Sequence, residues 1–176
     1  GSYFSATLIM VPHVDFIVGR GRKSRPGCLN FSLCPSLQHR NLVYIDSDPG
    51  ACPDVRSELG SVDFTCFGID KKQDPLHRIQ IRIIFDVSSV FCGGIHSIHG
   101  IFTQLRRPFN VLIPLTRVES AIPSDIKRIL WQPVYTLELV HDAYPMFDWS
   151  ETERMCQYIN PSCYVKVICS PRQSSR

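Results

Sequence analysis

Apolar residues along this chain fall in short runs broken by turn-forming residues, and several of the runs end in an acid. The run at 42–45 (Leu-Val-Tyr-Ile) ends in Asp46 and meets a tight Asp48-Pro49-Gly50 turn. Residues 55–59 then have a helix-compatible composition, and a second apolar run at 62–69 ends in Asp70. The pattern predicts strand, turn, helix, strand. Farther on, HRIQIRIIFDV at 77–87 alternates and then becomes continuously apolar, as a strand buried on both faces does, with Asp86 at its end.

The remaining segments continue the mixture. Residues 5–18 are apolar and β-branched around Pro12, which predicts two short strands or one bent strand. A helix is expected at 95–105, a strand at 110–115, and a helix at 125–131 with Ser124 as its N-cap. A strand at 134–140 follows, then a helix at 149–159 that opens on Ser150-Glu151 and breaks at Asn160-Pro161, and a last strand at 163–169. Strands alternating with helices predict an α/β fold: one Rossmann-like three-layer domain over residues 1–169, with a mostly parallel sheet. The polar residues 170–176 are expected to form a disordered tail.

Composition narrows the function classes. A chain of 176 residues is long enough for a substantial core, and its net charge of +3 permits an anionic partner without demanding one. No apolar run approaches the roughly 20 residues that a bilayer-spanning helix needs. Eight cysteines occur with no C-x-x-C pair, and Cys66 and Cys169 sit in apolar runs as small buried hydrophobes would. That usage points to a reducing, intracellular setting, cytoplasmic or nuclear.

Candidate chemistry gathers in a few places. Asp46, Ser47, Pro49 and Gly50 would let a cofactor lie against the backbone after the first strand of the 42–70 unit, and Asp70 would accept hydrogen bonds from a ribose diol. The competing reading is a common Asp-Pro-Gly turn and an acid that merely ends a strand. Arg20, Arg22, Lys23 and Arg25 lie in a glycine-containing segment that could converge on RNA phosphates, or form an ordinary solvated loop. Cys92, His96 and His99 have helical spacing compatible with a metal, but a Gly-Gly loop followed by a helix with two polar histidines is the safer account, and no metal site is assigned.

The segment from Lys23 to Asp86, together with the last strand, resembles the S-adenosylmethionine-dependent FtsJ-like RNA ribose methyltransferases and their viral cap-methylating relatives. The resemblance implies S-adenosylmethionine as cofactor, RNA as substrate, and a Lys-Asp-Lys-Glu tetrad of which Lys23, Asp86 and Lys166 would supply the first three members. A lysine desolvated among apolar residues, as Lys166 is expected to be between valines, can act as the base for a ribose hydroxyl. The chain departs from the pattern at Ser47 and Asp48, which stand where smaller residues are usual, and no glutamate follows Lys166. These departures keep open a second class of function, a non-catalytic Rossmann-like interaction module that binds protein or RNA.

Overall fold

The computed structural model describes residues 13–19, 41–50, 52–85, 98–114, 122–142 and 150–170. Seven described strands form one sheet: β1 (His13–Val18), β2 (Asn41–Asp46), β3 (Val55–Arg56), β4 (Gln80–Phe85), β5 (Phe109–Pro114), β6 (Val134–Asp142) and β7 (Tyr164–Ser170). Their order is β3-β2-β1-β4-β5-β6-β7, and every neighbouring pair is parallel. Helices α1 (Ile98–Leu105), α2 (Ile122–Leu130) and α3 (Ser150–Ile159) connect β4 to β5, β5 to β6 and β6 to β7. This is the expected α/β Rossmann-like fold. The last strand runs through Ser170, one residue into the expected tail.

The helices bury their apolar stripes on one face of the sheet. Ile98, Ile101 and Leu105 of α1, and Ile126, Ile129 and Leu130 of α2, recur at helical spacing and pack with Phe16, Ile83, Val111 and Leu137 of the strands. Gly100 of α1 passes so close to the 3-10 turn Leu59–Ser61 that a Cβ on it would lie 3.2 Å from the Gly60 Cα. On the opposite face a smaller apolar cluster, Ile17, Ile84, Leu112 and Val140, adjoins a polar row.

Two expected elements differ. Residues 62–69 are not a strand: the Asp63 carboxylate accepts hydrogen bonds from the Thr65 N–H and hydroxyl, and Gly68 closes the turn in the left-handed region at φ 73°. Between these stops lies the 3-10 turn Phe64–Phe67, whose three-residue period puts Phe64 and Phe67 on one side. Both rings meet Phe16 of β1 edge-on, with centroids 5.2 Å away. The apolar run therefore still packs against the sheet, while Cys66 is exposed rather than buried. Residues 55–59 are not helical either. Asp54 ties them to β2, its N–H donating to the Tyr44 carbonyl and its carboxylate accepting the Tyr44 N–H, both at 2.9 Å. The chain continues as the short parallel strand β3.

Two buried ion clusters pin the sheet. Arg82, at the middle of β4, forms a two-pronged pair with Asp15 of β1 (Nη2–Oδ2 2.9 Å, Nε–Oδ1 3.2 Å) and reaches past β5 to Glu138 of β6 (Nη1–Oε1 3.2 Å). Burial alone would lower the Arg82 pKa, but its hydrogen bonds and the charges of Asp15 and Glu138 outweigh that and raise it. At the amino end of β4, Asp74 accepts the Arg78 and Ile79 N–H groups at 2.7 and 3.1 Å and pairs with the buried Arg107 at 2.7 Å.

Burial opposes ionisation of Asp74, but the bonds from Arg107, Arg78 and Ile79 win and hold its carboxyl below the usual range. A carboxyl with a depressed folded pKa contributes stability that is full above the unfolded value of about 3.9 and is lost as pH falls through the folded value. Asp74→Ala, which leaves Arg107 buried without its counter-ion, should lower the unfolding free energy by about 3–5 kcal/mol at neutral pH. In urea denaturation, the gap between variant and parent should narrow below about pH 4.

Candidate functional site

Open α/β sheets bind ligands outside the carboxyl ends of their strands, where the strand order reverses. Here the reversal falls between β1 and β4: the chain steps outward from β1 to β2 and β3 on one side, and from β4 to β7 on the other. Val18 and Phe85, register partners, end the two central strands. Gly19 follows Val18 with φ 91°, a conformation that L side chains rarely adopt. Its N–H donates to the Ile45 carbonyl at 3.0 Å, which seats the turn beside the end of β2. Asp46 is the last residue of β2. In nucleotide-binding α/β units a glycine-rich turn follows the first strand and an acid ends the second, the two positions that Gly19 and Asp46 take among the described strands.

The next turn is built differently. The Asp46 Oδ1 accepts the Asp48 N–H, and the Asp48 Oδ1 accepts the Gly50 N–H, each at 2.9 Å. Arg56 donates to the Asp48 carbonyl at 2.6 Å, so Ser47, Asp48, Pro49 and Gly50 form an exposed turn closed by its own carboxylates. A Cβ on Gly50 would meet only the Asp48 Oδ1, at an ordinary 3.5 Å. Nothing in this turn requires glycine. Asp46 itself is half-buried, and its Oδ2 has no hydrogen-bond partner among the described residues.

Asp70 lies elsewhere. Its Oδ1 accepts the Lys72 and Gln73 N–H groups at 2.7 and 2.5 Å, capping the turn that leads to Asp74 and the amino end of β4. Asp46 and Gly50 stand at the carboxyl end of β2, so the structure does not bring Asp70 to them. Asp46 takes the place in the fold that Asp70 was expected to hold.

Lys166 is exposed on β7, the outermost described strand, and is not desolvated among its valines. Its register partners run through Glu138 and Leu112 to Ile84, so it shares a sheet face with the residue two before Asp86. Three strand spacings, about 14 Å, separate it from β4. Lys23 and Asp86 lie outside the described residues, as do Arg20, Arg22, Arg25, Cys92 and His96.

Sequence reasoning missed Gly19 as the positive-φ glycine at the end of the central strand β1. The signal was present: the apolar run Val14-Asp15-Phe16-Ile17-Val18 passes directly into Gly19-Arg20-Gly21. It also missed the partners of Arg82, although an arginine inside an apolar strand calls for a buried acid.

Among the described residues, no group of three or more histidine, cysteine or acidic side chains is placed to hold a metal ion. No described helix is long and apolar enough to cross a membrane. No family model, curated protein or solved structure matches the chain.

The two turns make opposite demands on their glycines. Gly19→Ala should cost about 1–2 kcal/mol of stability through its positive φ. Gly50→Ala should stay within about 0.5 kcal/mol of the parent. Thermal denaturation of the two variants measures the contrast.

Proposed function

We propose that the carboxyl edge at β1 and β2 binds S-adenosylmethionine and that the protein transfers its methyl group to an RNA ribose. The observation that carries this reading is the adjacency of the Gly19 turn and Asp46 at the point where strand order reverses. In it, Asp46 accepts hydrogen bonds from the cofactor ribose and the Gly19 turn lets the cofactor approach the backbone. Connectivity adds support: Lys23 follows Gly19 by a few residues, and Asp86 directly follows Phe85 at the end of β4. Both candidates for handling the ribose hydroxyl thus belong to segments leaving the two strands that flank the reversal. The cations Arg20, Arg22, Lys23 and Arg25 leave β1 with the same turn, and favour RNA phosphates as the neighbouring charge.

A second reading, a binding module without catalysis, is favoured by the solvent exposure of Lys166, which was to be the desolvated base. Isothermal calorimetry with S-adenosylmethionine and its demethylated product decides first whether the edge binds cofactor. Asp46→Ala should weaken binding by about 1.5–3 kcal/mol, the loss of a charged hydrogen-bond partner, while Asp70→Ala leaves it unchanged. No heat at millimolar cofactor transfers the assignment to the binding module. If cofactor binds, Lys166→Ala then tests catalysis: lost methyl transfer with unchanged cofactor affinity assigns the lysine to the reaction.

A further inference from the structure

A groove of about 580 Å³ opens at the other end of the sheet, over the amino-terminal residues of β4, β5 and β6. That volume lies within the range of small-ligand sites. Its floor is polar and held in place. Arg82 is fixed by Asp15 and Glu138, and Thr136 donates its hydroxyl to the Asn110 Oδ1 at 2.8 Å. Two groups of opposite character remain unused there: the Glu138 Oε2, an acceptor, and the Asn110 Nδ2, a donor, neither with a partner among the described residues. Arg107, buried in the groove wall, carries an Nε–H that also lacks a partner.

Charge on the floor is settled by the same contacts. Arg82 is matched against two carboxylates, and Arg107 against Asp74, so an anionic head group finds no uncompensated cation among them. The free carboxylate oxygen instead asks for N–H donors. An apolar side chain would leave both floor groups unsatisfied, at a cost in binding.

The rim carries an exposed aromatic ring. Tyr135 lines the groove and is largely exposed. Tyr164, the register partner of Thr136 on β7, is also exposed on the adjoining strand. Trp131 is exposed in the turn after α2 and Tyr158 near the end of α3, and the Asn160 side chain donates to the Leu130 carbonyl at 3.0 Å between them. Rigid aromatic rings beside a donor and an acceptor suit a flat ligand with a hydrogen-bonding edge.

We propose that this groove binds a nucleobase, guanine in preference to the others, stacked on Tyr135 with its edge on Glu138 and Asn110. Guanine's N1–H and N2–H donors meet the carboxylate, and its O6 accepts from the Asn110 amide. Cytosine, adenine and uracil each offer the carboxylate fewer adjacent donors. The base comes from a free nucleotide or from single-stranded RNA; the chemistry recognised is the same. The site lies at the opposite end of the strands from Gly19 and Asp46, and it does not rest on the cofactor reading.

The test is calorimetry on the full chain with the four nucleoside monophosphates and with short single-stranded RNAs that do or do not contain guanine. Guanosine monophosphate, or the guanine-containing RNA, should bind about five- to 150-fold more tightly than its cytosine counterpart. Tyr135→Ala should weaken that binding by a similar factor, about five- to 150-fold. Asn110→Ala, which leaves the Arg82 cluster intact, should reduce the preference for guanine. Binding of both ligands assigns the groove to free nucleotide, and binding of RNA alone assigns it to a base presented by a strand. Asp46→Ala should leave guanine binding unchanged, so failure of the cofactor site and failure of the groove are read separately. No binding at millimolar ligand, or affinities indifferent to Tyr135→Ala and Asn110→Ala, overturns the proposal.

Discussion

Arg82 is the interaction on which this sheet depends. Its guanidinium ties β1 to β4 through Asp15 and β4 to β6 through Glu138, on a face that also carries the aliphatic cluster Ile17, Ile84, Leu112 and Val140. A strand slipped by one residue would turn Asp15 or Arg82 into the opposite, wholly apolar face, leaving an unpaired charge in the helix-covered core. The ion cluster therefore fixes register where aliphatic packing alone tolerates error. It also sets the character of the groove, because Glu138 is held by one oxygen and presents the other.

The two ends of the sheet have distinct architectures for a common reason, the parallel order. At the carboxyl ends, strand termini release the chain at the reversal point, and a glycine with positive φ turns it there. At the amino ends the chain enters strands through capped turns, where Asp70 and Asp74 satisfy backbone N–H groups. Acids cap backbone N–H groups at both ends, Asp46 and Asp48 after β2 and Asp70 and Asp74 before β4. Asp46 and Asp70 look alike in the sequence and differ in place, Asp46 ending a strand and Asp70 capping the turn that leads into one.

The strands β2, β4, β5, β6 and β7 and the three helices were legible because each is an apolar run or stripe with local stop signals. Residues 55–69 were not, because what decides them is a contact across the chain. Asp54 bonds to Tyr44, and Phe64 and Phe67 close on Phe16; each partner is remote and carries no mark in a local window. The sequence reading began the strand–turn–helix–strand unit at residues 42–45, whereas in the sheet β1 precedes β2 and stands at the reversal of strand order. The Arg82 cluster was illegible in its partners, which lie in β1 and β6, though the need for partners was plain.

The central position of β1 has a consequence for how the chain is made. It is the first described strand to leave the ribosome, yet both its neighbours, β2 and β4, are synthesised later. Until residue 85 has emerged, one flank of β1 has no native partner, and the Asp15–Arg82 pair cannot form. Such delayed, long-range parallel pairing slows folding and prolongs the exposure of unpaired strands. The two-pronged contact that buries the acid within HVDFIV is thus completed only after Arg82 has been made.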